Sequence, residues 1–265
     1  MDTTLYAKAI LLGIVEGLTE FLPISSTGHL ILASEWLKFN RGGPQSFEVF
    51  IQLGAILSVC WFYRVRLRAV AHNLGTEPSA NRFVWNLIIA FIPAALVGFF
   101  AHDYIKAALF SPRVVAIALI AGGFAILAVE RWFTRPTLHE TDEITPRFAL
   151  QIGLAQVLAL IPGVSRSGAT IMGGMVCGLN RRAATEFSVF LAIPMMFAAT
   201  LYDLAKNWNA LGVADIGVFA TGFVTAFISA LLAIRFLIQF VSQHSFVVFA
   251  HYRIIFGVFL LWMYR

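Results

Sequence analysis

Charge is what this chain has least of. Only 12% of its 265 residues are Asp, Glu, Lys or Arg, against roughly 25% in an ordinary soluble domain, and no polar stretch is long enough to make a soluble domain. With 59% hydrophobic residues and a mean hydropathy of +0.81, the composition excludes a soluble enzyme and indicates one integral membrane domain over residues 1–265. Cysteine is scarce too. Cys60 and Cys177 lie in apolar runs without CxxC spacing or a neighbouring His, which excludes a thiolate metal site and leaves them as small packing residues. The opening MDTTLYAKAI lacks the basic start and small-residue cleavage site of a secretory signal, so the first apolar segment is expected to persist in the mature protein. The net charge of +5 comes mostly from Arg at segment ends, with no basic stripe interleaved with aromatics. The bilayer is therefore an expected partner and nucleic acid is not.

What is present is a series of apolar runs, each about the 20 residues needed to cross a bilayer. Full-length candidates fall near 47–63, 83–101, 112–131, 186–204, 216–240 and 246–264. Residues 5–38 and 148–179 depart from this pattern: each holds an apolar run, a Pro- and Ser-containing break, then a second run. Proline removes a backbone donor and clashes with the preceding turn, so Pro23 and Pro162 are expected to end their helices. The freed polar backbone is tolerated at membrane depth only when buried in protein or lining a wet cavity, which predicts two re-entrant hairpins. The halves also match at one constant offset. Ser25-Ser26-Thr27-Gly28 falls on Ser165-Arg166-Ser167-Gly168, and Phe47-Glu48-Val49-Phe50 on Phe187-Ser188-Val189-Phe190. The prediction is an all-α polytopic membrane protein with an inverted-topology internal repeat, 1–135 and 145–265, each repeat a re-entrant helix hairpin plus three transmembrane helices. Arg64, Arg66, Arg68, Arg82, Arg131, Arg135, Arg147, Arg181 and Arg182 then share one side, the cytoplasmic one by the positive-inside rule.

Polar residues gather at the two breaks. Glu16 and Glu20 lie one helical turn apart on the face that also carries Gly13 and Gly17. An ionisable group at membrane depth costs at least ~2.5 kcal/mol and is functional by default. Two carboxylates on one face repel unless a shared proton or cation joins them; Mg2+ or Ca2+ suits such oxygens, while a polar patch at a helix contact is the plain alternative. After Pro23 come Ser25, Ser26 and Thr27, and then His29. Hydroxyls before a helix are commonly N-caps, yet together these residues put a potential nucleophile, a proton-transfer group and free backbone N–H groups at a helix N-terminus, where anions bind. The second break, PGVSRSGAT, sets Arg166 among Ser165, Ser167 and Thr170. Its guanidinium suits phosphate bidentately, and pairing with Glu16 or Glu20 is the structural alternative. Two helix N-termini, an Arg and a cation facing each other describe a site for a polyanionic phosphate held beside lipid.

Residues 16–29 and 162–170 resemble the paired-acid ExxxE and PGxSRSxxT signatures of the bacterial undecaprenyl-diphosphate phosphatase family, also called the bacitracin-resistance protein family. The likeness extends over nearly the whole chain, including FEVFIQLGAILSV at 47–59 and EFSVFLAIPMM at 186–196. It implies hydrolysis of undecaprenyl diphosphate to the monophosphate carrier lipid and inorganic phosphate, a divalent-cation requirement, the bacterial cytoplasmic membrane, and a site open to the periplasm. Carried onto this chain, the functional residues are Glu16, Glu20, Ser26, His29 and Arg166. Ser25, Thr27, Gln52, Ser165, Ser167 and Thr170 are expected as phosphate contacts, with Glu16 and Glu20 on the metal. Ser26 with His29 as base is the favoured nucleophile; His29 itself or an activated water stays open. A type-2 phosphatidic-acid phosphatase would need a His and an Asp beyond Arg166, which SGATIMGGMV lacks, and Cys177 is wrongly spaced for a Cys-dependent phosphatase. A lipid-phosphate flippase or secondary transporter of the same architecture is the rival from another class. A homodimer is compatible with such a chain.

Overall fold

The computed structural model describes residues 3–39, 44–133, 135–207 and 216–265. Eleven α-helices are present among the described residues: α1 Thr3–Thr19, α2 Ser26–Leu37, α3 Pro44–Phe62, α4 Arg64–Asn73, α5 Pro78–Leu109, α6 Pro112–Trp132, α7 Pro146–Val157, α8 Arg166–Val176, α9 Arg181–Asn207, α10 Ile216–Val241 and α11 Val247–Met263. Several start where the sequence signals it. Ser111 caps α6 by accepting from Val114 N at 3.3 Å and Thr145 caps α7 by accepting from Phe148 N at 3.4 Å, each followed by a proline at the first helical position, where its missing N–H costs nothing.

Among the described residues, four helices are long and apolar enough to cross a membrane: Pro78–Ala101, Pro112–Trp132, Arg181–Tyr202 and Ile216–Val241. The run expected at 47–63 becomes a bent pair, Phe47–Phe62 with Arg64–Asn73 turned by 72°. Arg64, Arg66 and Arg68 give α4 charges that cannot follow α3 into lipid. The run expected at 246–264 forms the 17-residue α11, about 25 Å long at the helical rise. Pro93 and Pro194 lie inside continuous helices, whereas the helices of the two broken regions end before their prolines. The α1 helix stops at Thr19 and α7 at Val157, the latter followed by a 3-10 turn over Leu158–Leu160. Each break is thus several residues of non-helical backbone rather than a kink at one proline.

Close helix approaches set the core. The α1 helix packs on α10 and α7 packs on α5. A side chain at Gly13 would lie 2.5 Å from Gly222 O, and one at Gly153 would lie 2.5 Å from Ala90 O, so both contacts require glycine. Small residues let backbones meet in this way without a hydrophobic driving force between helices. At the arginine-rich end, Arg66 pairs with Asp142 at 3.1 Å and Glu186 at 3.6 Å, lying over the rings of Phe83 and Phe190. Nearby, buried Glu130 accepts from Arg181 Nε at 2.9 Å and Phe246 N at 2.7 Å. These contacts gather the starts of α5, α9 and α11 and the end of α6. Glu186 belongs to this network and not to the breaks.

Candidate active site

The two breaks meet. A cavity of about 180 Å³ is lined by Glu20, Ser25, Ser26, Thr27 and Gln52 from the first half and by Gln156, Ser165 and Arg166 from the second. Seven of the residues expected from sequence therefore share one pocket. Ser25 and Ser165, which precede α2 and α8, both have positive φ, 68° and 74°. Side chains with a Cβ seldom adopt that backbone, and its recurrence at the same place in both breaks marks two similarly built turns. They differ in capping: Ser165 Oγ accepts from Gly168 N at 3.2 Å, while the Ser25 side chain makes no capping bond. The N-terminus of α2 thus lacks a side-chain cap from Ser25 beside the cavity.

Within the pocket, Ser26 Oγ donates to Glu20 Oε2 at 2.6 Å, and Glu20 Oε1 lies 3.4 Å from Arg166 Nη2. Arg166 Nη1 donates to Ser188 O at 3.0 Å. Its Nε is buried without a partner. This chain of contacts places a hydroxyl, a carboxylate acceptor for its proton, and a guanidinium in one row.

His29 stands apart from Ser26. Its Nδ1 lies 2.8 Å from Ser25 O and its Nε2 2.6 Å from the Tyr252 hydroxyl, with the ring stacked on Phe256 at 4.4 Å. A carbonyl only accepts, so Nδ1 carries the proton in this arrangement and Nε2 accepts from Tyr252. No hydrogen bond joins Ser26 to His29; the Ser26 hydroxyl is bonded to Glu20 instead. Ser167 donates to Leu22 O at 2.8 Å, joining one break to the other. Thr170 bonds Arg166 O at 2.9 Å and Ser188 Oγ at 2.6 Å. Neither lines the cavity; they brace the residues that do.

Three features escaped the sequence reading. The first is Arg253 on α11, fully buried, whose guanidinium donates to Pro23 O at 3.0 Å, Gly163 O at 3.1 Å, Val164 O at 2.9 Å, and to Leu119 O and Ala118 O. It ties both breaks together from behind the pocket through their backbone carbonyls. A lone Arg within the apolar run 246–264 was the available signal. The second is Gln156, which follows Glu16 by the same offset that separates Ser165 from Ser25. The third is an apolar groove of about 470 Å³ between α5 and α9, lined by residues including Phe91, Ala94, Ala95, Gly98, Ala198 and Tyr202. Leu160, Met195 and Ala199 line both this groove and the polar pocket.

Oxygen ligands for a divalent cation are available in part. Buried Glu16 keeps Oε2 unpartnered, and the charges acting on it are Glu20, Glu48 and Arg166. Among the described residues no three His, Cys, Asp or Glu side chains converge into a complete metal cage. The set suits a hard cation that keeps several waters and shares its coordination with phosphate oxygens, the usual habit of Mg2+.

Fold and pocket together define a helical membrane protein with a polar, arginine-containing pocket built from two broken segments and bordered by an apolar groove. Residues 9–259 match the family model of bacitracin resistance protein BacA, and the chain belongs to that family. It is 59% identical to the undecaprenyl-diphosphatase of Nitrosospira multiformis, over 98% of this chain and 96% of that protein. It is also 55% identical to that of Methylobacillus flagellatus, over the full length of both. The undecaprenyl-diphosphatase of Nitrosomonas europaea is 59% identical over 98% of this chain.

Proposed function

We propose that this protein is an integral membrane phosphatase that hydrolyses undecaprenyl diphosphate to undecaprenyl phosphate and inorganic phosphate, recycling the carrier lipid for cell-wall synthesis and giving bacitracin resistance. The observation that carries this reading is the position of the pocket holding Arg166, Glu20 and Ser26 directly beside the apolar groove, the two sharing Leu160, Met195 and Ala199 in their walls. One surface thereby meets both ends of an amphiphilic diphosphate.

Ser26 Oγ attacks the terminal phosphorus while Glu20 takes its proton, the role for which their hydrogen bond is set. The bond to the bridging oxygen breaks and prenyl phosphate leaves with the proton Glu20 had taken; Glu20, again a carboxylate, then takes a proton from the water that attacks the phosphoserine and returns it to Ser26 as inorganic phosphate departs. Arg166 and the amides at the start of α2 stabilise the charge of the transferring phosphoryl, the dominant contribution in such chemistry. His29 acts by holding the Ser25 carbonyl and with it the strained turn. Glu16 and Glu20 would hold the divalent cation, which supplies charge neutralisation to the diphosphate.

The inverted repeat also belongs to this reading. It is supported by the crossed pairing of halves, α1 on α10 and α7 on α5, with Gly13 and Gly153 at the same offset, and by the matched φ of Ser25 and Ser165. The groove runs along the later halves of α5 and α9, away from the arginine-rich end where both begin. With that end cytoplasmic, the site opens toward the periplasm. Crossed inverted repeats also serve secondary transporters, which keeps lipid flipping as the second reading. Phosphate release from farnesyl diphosphate by purified protein in detergent, lost in Glu20→Ala and in Arg166→Ala, is the expected result. No release from intact, monodisperse protein refutes the enzyme.

A further inference from the structure

A second cavity, of about 320 Å³, lies at the arginine-rich end and shares no lining residue with the polar pocket. One wall is polar, with Asn180, Arg181, Arg182 and Ser242; the other is apolar and includes Phe133, Leu179 and Val241. The spans α6 and α10 both end beside it, at Trp132 and Val241. Trp132 and Phe133 are exposed, as aromatic side chains are where a span meets the headgroup layer. The walls are held by the backbone: Thr137 N donates to Gly178 O and Asn180 N to Leu138 O, both at 2.9 Å. That pins the segment after α6 against the turn between α8 and α9.

Accounting for the hydrogen bonds shows what the lining has left to offer. Glu130 and Glu186, which partner the two arginines, do not line the cavity. Glu130 engages Arg181 through Nε and Nη2, which leaves Nη1 for a ligand. Glu186 engages Arg182 through Nε alone, at 3.1 Å, so both of its Nη groups are left. Asn180 is occupied, its Oδ1 accepting from Ala183 N at 2.7 Å as the cap of α9 and its Nδ2 donating to His139 O at 3.3 Å. The Ser242 hydroxyl donates to Ile238 O at 2.8 Å. The donors still available are therefore guanidinium N–H groups, and the ligand that fits them is an anionic acceptor. Arginine forks suit phosphate, and phosphate beside an apolar wall at the end of two spans comes attached to lipid. Basic pockets between membrane helices take anionic headgroups in this way.

We propose that this cavity binds the headgroup phosphate of an anionic phospholipid from the leaflet at the arginine-rich end. Arg181 Nη1 and the Arg182 Nη groups hold the phosphate, and the glycerol and first acyl carbons lie against Phe133, Leu179 and Val241. The occupant is a resident lipid and not a substrate. It ties the ends of α6 and α10 to the start of α9.

Native mass spectrometry of the full chain in detergent, titrated with phosphatidylglycerol or with phosphatidylcholine of the same acyl chains, tests this. The parent is expected to prefer phosphatidylglycerol. Arg182→Gln, which removes charge-assisted hydrogen bonds, should lower that preference roughly tenfold, and Arg182→Lys should restore part of it. Ser242→Trp, which fills the cavity and leaves both arginines in place, should lower it as far. Elution as a single species and parental hydrolysis of farnesyl diphosphate establish that a variant is folded; should one of the two fail, the other decides. Equal retention of the two lipids by the parent overturns the proposal, as does a parental preference in a folded Arg182→Gln or Ser242→Trp. A preference lost in Arg166→Ala but intact in Ser242→Trp places the lipid in the polar pocket and also overturns it. Excess inorganic phosphate should not displace the lipid; displacement assigns the site to free phosphate instead.

Discussion

Ser26 and Glu20 face each other across the break between α1 and α2, joined by a 2.6 Å hydrogen bond from the serine hydroxyl to the carboxylate. The Glu20 carboxylate also reaches Arg166, so one side chain links the candidate nucleophile to the candidate phosphate anchor. Groups that act as one unit give non-additive losses. Ser26→Ala and Glu20→Gln should each lower kcat by roughly a hundred- to ten-thousand-fold, and the double variant should be no worse than the poorer single. Rapid-quench assays on farnesyl diphosphate measure this. Losses that multiply in the double variant would separate the two residues and remove Glu20 as the base.

His29 makes a different prediction. With Nδ1 on Ser25 O and Nε2 on the Tyr252 hydroxyl, the ring supports a backbone turn and does not touch Ser26. Asparagine can reproduce the Nδ1–H donor but not Nε2. His29→Asn should therefore retain far more activity than His29→Ala, and Tyr252→Phe should cost only a few-fold, about the 1 kcal/mol of one hydrogen bond. Equal, severe losses in His29→Asn and His29→Ala, with an acid-labile phosphoenzyme that survives Ser26→Ala, would show His29 to be the nucleophile.

How legible all this is in the sequence depends on the interaction concerned. Pro, Ser and charge crowded into two apolar regions announce broken helices and an anion site, because lipid tolerates neither free backbone nor stray charge. Seven expected residues duly line one cavity. Contacts between distant segments leave weaker marks. The partners of Arg253 are backbone carbonyls of Pro23, Gly163 and Val164, which carry no residue-type signal. Spacing along α2 likewise allows His29 to serve Ser26 or Ser25, and only the ring's stacking on Phe256 of α11 decides. Gln156 was visible at the offset from Glu16, but an amide in place of a carboxylate hides the correspondence.

Arg253 should matter to both stability and catalysis. Replacing it with Met leaves several buried carbonyls without donors, each worth about 1–3 kcal/mol, and frees the two turns that set Ser25 and Ser165. Arg253→Met is expected to lower the melting temperature of the detergent-solubilised protein sharply. Arg253→Lys keeps the charge but lacks the planar fork that reaches Pro23 and Gly163 together. It should fold, with kcat reduced and KM little changed. Thermal unfolding and steady-state kinetics on the two variants read these effects separately, and a folded Arg253→Lys with parental kcat would deny Arg253 any part in shaping the site.

The groove makes the last prediction, one about chain length. Along α5, Phe91, Ala94, Ala95, Gly98 and Phe99 fall on one helical stripe, and along α9 so do Met195, Ala198, Ala199 and Tyr202. Small residues in the middle of each stripe leave the space, and Leu160, Met195 and Ala199 border both it and the polar pocket. If the prenyl chain lies there, Ala198→Trp fills its path without touching Ser26, Glu20 or Arg166. Burial of apolar chain contributes about 0.8 kcal/mol per methylene, so loss of even a few contacts should raise KM for a long prenyl diphosphate roughly tenfold or more. Dimethylallyl diphosphate, too short to occupy the groove, should be hydrolysed as well by Ala198→Trp as by the parent. Equal effects on both substrates would place the change in the head-group pocket, and no effect on either would send the chain along another face of the protein.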